Sequence, residues 1–201
     1  MASAGRPRTF IEHDVLDAAM RVFWKYGYEA ASLAQLRAAT GLSSASLYGA
    51  FGSKEGLFER VVAHYIAGPG QVTDIVGDQS LDPVEAVSRM LHGSIDMQAD
   101  SSHPAGCLVA LSATVGAETA ETSAARSIVA ARRQADRSRI EACVRRGVRE
   151  RVLRDDLDPD VMTALVHTFL LGVSTQLRDG ADPAPLHASV DVLLGALTQP
   201  G

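Results

Sequence analysis

Apolar residues recur every three to four positions along most of the chain, the pattern of helices that each bury one face. Ile11, Val15, Ala18, Val22 and Tyr26, with Ala19 and Phe23 widening the stripe, predict a first helix that Gly27 ends. Thr9 and Glu12 are spaced as a capping box at its start. Ser32 and Gln35 repeat that box ahead of Leu33 and Leu36. Gly41 then stands where the second helix must leave in a left-handed turn that costs glycine least. Ser43 caps a third helix that carries Leu47 and Phe51 on one side and the hydroxyls of Ser44, Ser46 and Tyr48. Ser53 caps a fourth, with Leu57, Phe58, Val61, Val62 and Tyr65 along it, and Gly68-Pro69-Gly70 breaks the pattern.

Beyond a weak element between Gln71 and Leu81, Asp82-Pro83-Val84-Glu85 supplies an N-cap, a proline at the first helical position and an acid in the first turn. Val84, Val87, Leu91 and Ile95 form the stripe of that helix. A loop at Asp100–Pro104 leads to a helix expected from Ala105 to Gly116 and a long one from Thr119 to Val152. Arg126, Arg132, Arg133, Arg137, Arg139, Arg145, Arg146, Arg149 and Arg151 scatter around the long helix and read as a solvated face. Asp158-Pro159 opens a helix with Val161, Leu165, Val166, Phe169, Leu170 and Val173. A last helix holds Leu186, Val190, Leu193, Leu194 and Leu197. These final two helices are apolar over more of their circumference than the outer shell of a monomer needs, which predicts burial against a second copy.

Composition sharpens the fold class. Of the 201 residues, 46% are hydrophobic but only 5% aromatic, and β-branched runs are missing, so the chain reads as all-α. No apolar stretch is long enough to cross a bilayer and the first residues do not form a secretion signal, so the expectation is a soluble cytoplasmic protein with no membrane partner. The net charge of −5 does not fall on the first 66 residues, where seven basic side chains (Arg6, Arg8, Arg21, Lys25, Arg37, Lys54, Arg60) meet six acidic ones. A near-neutral segment still binds nucleic acid where its cations are focused. Cys107 and Cys143 lack a CxxC partner, and neither a Ser-His-Asp set nor a carboxylate pair is evident. No catalytic residue, metal ligand or cofactor is therefore expected.

Helix, glycine turn and helix with a polar outer face is the layout of a helix-turn-helix, whose second helix can enter a DNA major groove. Thr40-Gly41-Leu42-Ser43, Leu47-Tyr48 and the run Phe51-Gly52-Ser53-Lys54-Glu55-Gly56-Leu57-Phe58 resemble the TetR family of bacterial transcriptional regulators. The resemblance spans roughly residues 9–66. It implies a helix-turn-helix DNA-binding domain there, after a basic arm over residues 1–8, and a helical effector-binding and dimerisation domain over residues 67–201. The implied function is a ligand-responsive regulator, most often a repressor, on palindromic double-stranded operator DNA. The implied dimer forms through the last two helices.

Carried over by position, the family pattern puts Ser32 at a phosphate, Ser43, Ser44, Ala45 and Tyr48 at the groove, and Lys54 on the DNA backbone. Arg6 and Arg8 flank Pro7 on an extended arm that suits a minor groove or serves as a solubilising tail. The third helix departs from the family in having Ser44, Gly49, Ala50 and Gly52 where bulkier or cationic residues are common. Arg37 is expected to reach a phosphate or base edge in compensation, the alternative being a stem packed on the third helix with its head in solvent. An effector cavity, largely apolar, is expected among Met90, Leu91, Ile95, Leu111, Thr114, Val166, His167 and Leu170, the alternative for each being plain core, since apolar residues at helical spacing need no ligand to explain them. Gly106-Cys107-Leu108 resembles a motif of one branch of the family. Cys107 is expected in the first turn of its helix, where the dipole lowers a thiol pKa, as a reactive sensor or else as an inert core cysteine. The competing readings are a helical enzyme and a protein-binding adaptor without operator binding.

Overall fold

The computed structural model describes residues 11–113 and 119–198. The helices are α1 (Glu12–Ala30), α2 (Leu33–Thr40), α3 (Ser44–Phe51), α4 (Lys54–Ala67), α5 (Pro83–Ala99), α6 (Leu108–Leu111), α7 (Ala120–Arg149), α8 (Pro159–Arg178) and α9 (Pro183–Leu197). A 3₁₀ segment, Pro69–Gly77, fills the gap where the sequence shows only a weak element. No strand occurs among the described residues.

Most helix starts follow from local chemistry. Ser32 and Gln35 form a reciprocal capping box on α2, Ser43 and Ser53 cap α3 and α4, and Asp82, Asp158 and Asp182 cap helices whose first residue is proline. The first helix is different. Its N-cap is Ile11, which makes no side-chain bond, while Glu12 pairs with Arg60 on α4; Thr9 lies outside the described residues. The buried face of α1 is also broader than the expected stripe. Val15, Leu16, Ala19, Met20, Val22, Phe23 and Trp24 are buried, whereas Ile11 and Tyr26 are exposed. The cause is that α1 is covered from several sides, by α2, α4, α6 and α7.

Two cores result. One joins Phe23, Trp24, Tyr28, Leu36, Leu47, Phe58, Val61 and Tyr65 of the first four helices to Leu108, Val109 and Ala113, and to Ala125 and Val129 of α7. The other packs α5, α7, α8 and α9 around Met90, Leu91, Ile95, Ile140, Val144, Met162, Val166 and Val190. A boundary drawn at residue 66 therefore cuts through a continuous core.

The segment 106–113 is the strap between the two parts. The Trp24 indole N–H donates to the Gly106 carbonyl at 2.9 Å, and the Tyr28 amide donates to the Ser112 carbonyl at 2.6 Å. Gly27 (φ +77°) lets α1 bend beneath this strap, and a Cβ there would sit 3.2 Å from the Ser112 oxygen. The helix expected from Ala105 shrinks to the single turn α6. Gly106 is left-handed (φ +80°) and so close to the Ser174 carbonyl that a Cβ would lie 2.8 Å from it. Residues 114–118 are outside the described chain.

The arginines of α7 are not one solvated face. Arg132 binds Asp136, Asp74 and the Thr73 hydroxyl, and Arg139 pairs with the same two carboxylates. Arg146 donates to the Leu81 carbonyl at 2.8 Å. Arg132 and Arg146, both buried or nearly so, tether the 3₁₀ segment and the loop after it. On α8 and α9 the burial is one-sided: Val166, Leu170, Val173, Leu186, Val190 and Leu194 face inward, while Val161 (52%), Leu165 (47%) and Val192 (74%) are exposed.

Candidate functional site

The helix-turn-helix is built by α2 and α3. Gly41 (φ +68°) turns the chain between them, and Leu36 and Leu47 bury the inner faces against α1 and α4. What remains outside on α3 is Ala45, Ser46, Tyr48, Gly49 and Ala50, with Ser44 half-buried. Tyr48 is 43% exposed and is the one large side chain that α3 presents outward.

Each side chain expected at DNA has a local environment. The Ser32 hydroxyl accepts from the Gln35 amide at 3.2 Å and lies 2.9 Å from Gln35 Oε1. The Ser43 hydroxyl accepts from the Ser46 amide at 3.1 Å and contacts the Ser46 hydroxyl at 2.9 Å. Both serines thus hold helix ends in shape, and what they turn toward an anion is a helix N-terminus. Lys54 is half-buried: its ammonium donates to the Glu29 carbonyl at 3.3 Å and lies 4.7 Å from the centre of the Tyr28 ring. It fastens the start of α4 to the end of α1. A concavity lined by Tyr48, Gly52, Ser53, Lys54 and Glu55 opens at that place. Arg37 is exposed and its side chain has no hydrogen-bond or ion-pair partner among the described residues, so its head is in solvent. Arg6 and Arg8 lie outside the described residues.

A second site lies deeper, where α4, α5, α7 and α8 meet the strap. A small cavity of about 30 Å³ is bounded there by Tyr65, Ser94, Met97, Gln98, Cys107, Val109, Arg132, Arg133, Asp136, His167, Leu170, Leu171 and Ser174, among others. Of the residues expected at an effector site, Cys107, His167 and Leu170 line it. Met90, Leu91, Ile95 and Val166 do not: they are fully buried in the second core. Leu111 lines an adjoining surface groove instead, and Thr114 is outside the described residues.

The residues that sequence reasoning missed are polar. Ser94, Gln98 and Ser174 are 1–2% exposed, yet Ser94 Oγ, Gln98 Oε1 and Ser174 Oγ, together with His167 Nε2, have no hydrogen-bond partner among the described residues. The signal was in the spacing. Leu91, Ser94 and Gln98 share one helical face, as do Leu170, Ser174 and Leu177, so hydroxyl and amide groups interrupt stripes that are otherwise apolar. Arg133 donates to the Val109 carbonyl at 2.7 Å, and burial lowers its pKa.

Of the two readings of Cys107, the reactive sensor finds no support here. Cys107 precedes the single-turn helix α6 as its N-cap, and burial pushes its thiol pKa up. The Tyr65 hydroxyl donates to its sulfur at 3.3 Å. Tyr65 is itself held well above the usual phenol range by burial and by Cys107.

Residues 15–61 match the family model described as bacterial regulatory proteins, tetR family, and residues 83–193 match the model described as tetracyclin repressor-like, C-terminal domain. The chain belongs to the TetR family. Members of this family regulate transcription and are not enzymes, which sets aside the helical-enzyme reading. Among its relatives is the transcriptional repressor ComR of Escherichia coli (strain K12), 52% identical over 64 residues, 32% of this chain and 30% of ComR. Another is the repressor BdcR of the same organism, 36% identical over 107 residues, 52% of this chain and 53% of BdcR. The matches thus span about a third to a half of these two TetR-type repressors. A cysteine variant of the TetR regulator CifR, solved in complex with 26-base-pair operator DNA, is 37% identical with a TM-score of 0.87, covering 95% of this chain and 99% of that one.

Proposed function

We propose that this TetR-family chain is a repressor of transcription that acts as a homodimer on a palindromic operator and is released by a small molecule held in the cavity beside Cys107. The observation that carries the reading is the outward face of α3. Tyr48 and Ser46 stand clear of the core on a helix capped by the exposed Ser43 and fixed from behind by Leu47, with Arg37, whose side chain has no partner among the described residues, on the preceding helix. Such a helix can lie in a major groove, where hydroxyls donate to or accept from base edges and an arginine reads guanine or phosphate. The first-turn amides of α2 and α4 suit phosphates. The repressors ComR and BdcR and the operator-bound CifR support the same reading.

A dimer through α8 and α9 is supported by the exposed Val161, Leu165 and Val192. Gly172 and Gly195 add to that face, since nothing stands within 4 Å of a Cβ built on either. The effector we infer has an apolar body, for Leu170, Leu171 and Val109, and hydrogen-bonding groups for Ser94, Gln98, Ser174 and His167. Equilibrium release requires it to bind best the conformation in which the two heads fit DNA poorly.

The test is selection of preferred duplexes from a random pool, followed by mobility shifts over a salt series. The expected result is a palindromic site bound far more tightly than random duplex, with affinity falling steeply as salt rises. Tyr48→Ala and Arg37→Ala should each weaken specific binding by about tenfold, in line with the ~1–3 kcal/mol of a good base or phosphate contact. Binding to selected sites no tighter than to random duplex would overturn the reading and leave the adaptor alternative.

A further inference from the structure

On the outer seam between α1 and α4, His13 and Asp17 stand one helical turn apart and His64 faces them from the last turn of α4. His64 Nε2 lies 2.7 Å from one Asp17 oxygen, and His13 Nδ1 lies 3.3 Å from the other. The two imidazoles meet edge to face with centres 4.9 Å apart. One atom from each of the three side chains falls within 4.8 Å of the other two. Asp14 adds a further carboxylate oxygen 3.9 Å from His13 Nδ1.

We propose that His13, Asp17 and His64 form a binding site for a divalent transition-metal ion of the zinc and nickel type, which clamps α1 to α4. Ligands around such an ion sit about 2.0–2.2 Å from it, so neighbouring donor atoms stand roughly 3.4 Å apart. The separations here bracket that spacing, and small side-chain rotations close the difference. A neutral imidazole carries its proton on either nitrogen. Moving it to the outward nitrogen of each ring leaves two lone pairs and a carboxylate oxygen converging, with no proton lost to solvent.

Two nitrogens and one or two oxygens favour zinc or nickel over magnesium or calcium, which take all-oxygen sets. The local charge agrees. Glu12 and Arg60 neutralise each other next to the cluster, and Asp14 and Asp17 remain as two negative charges beside the ion's place. His13 is largely exposed, so water completes the coordination and the ion has an open path. The sequence conceals this site because His64 is about fifty positions from its partners. Only the crossing of α1 and α4 unites them.

The test is calorimetric titration of the full-length, metal-stripped protein with Zn²⁺ alone and with Ni²⁺ alone, and Mg²⁺ as control. The expected result is saturable binding of one Zn²⁺ or Ni²⁺ per chain, none of Mg²⁺, and a rise in melting temperature on loading. His13→Ala, at a surface position where folding is not at stake, should weaken binding at least tenfold and abolish the rise, and His64→Ala should do the same. A double Cys107→Ser, Cys143→Ser variant should bind as the parent does. The proposal is overturned if no saturable binding occurs, if His13→Ala binds within twofold of the parent, or if the cysteine variant alone loses the ion. None of these readouts involves DNA, so they stand or fall separately from operator binding.

Discussion

Ser94, Gln98 and Ser174 sit on largely apolar walls, each with a polar atom that has no partner among the described residues. A buried polar atom without a partner costs about 1–3 kcal/mol, so removing it should help the ligand-free protein. Ser94→Ala and Ser174→Ala are expected to raise stability in urea unfolding by about 1 kcal/mol each while blunting release from DNA by the effector. Loss of stability in both would mean that these hydroxyls are satisfied in solution. Cys107 makes the opposite point about chemistry. Its thiol and that of Cys143 are both pushed above the ordinary cysteine range, chiefly by burial. At pH 7.5 each therefore carries less thiolate than a free cysteine, and the thiolate is the nucleophile. Alkylation of both by iodoacetamide should be slower than in the unfolded chain and should rise with pH up to values beyond the free-thiol midpoint. Rapid labelling of Cys107 alone would restore the reactive-sensor reading.

At the scale of elements, legibility followed locality. The helix starts at Ser32, Ser43, Ser53, Asp82, Thr119 and Asp158 were readable because a cap and the amide it serves lie within three residues. The α3 face was readable for the same reason. What failed was set by distant parts of the chain: the extra burial on α1, the collapse of the helix after Ala105 into a strap, and the conversion of Arg132 and Arg146 into tethers. The lining of the cavity was only partly readable for a related cause. Its lining depends on which turn and face of α5 meet α8: Met90 and Leu91 lie one turn before Ser94, and Ile95 lies off the face that Ser94 and Gln98 share, all three in plain core. Gly27 tests the strap directly. An L-residue at its left-handed φ costs about 1–2 kcal/mol, and a Cβ there also crowds the Ser112 carbonyl. Gly27→Ala should lower stability by roughly 1–3 kcal/mol, read as a lowered melting temperature. An unchanged melting temperature would show that the strap is loosely held.

For the whole molecule the decisive question is what covers α8 and α9. Val192 is 74% exposed and Leu165 47%, on helices whose other faces are already in the core. Burying such a face against its symmetry mate removes apolar area from water at about 25 cal/mol per Å². Sedimentation velocity should find the parent as a dimer and a Leu165→Asp, Val192→Asp variant as a folded monomer. The variant should bind a full palindrome no better than a half-site. A parent that sediments as a monomer at micromolar concentration would remove the two-headed arrangement.

The strap has one more implication, for anyone wishing to rewire such proteins. Exchanging reading heads between relatives at the glycine break after α4 looks clean on paper. Here the cut would strand Trp24 without the Gly106 carbonyl, Tyr28 without Ser112, and Phe23 and Phe58 without the side of their core that Leu108 and Val129 supply. A working hybrid has to bring residues 106–113 and the first turns of α7 along with the head, so the smallest portable unit is discontinuous in sequence.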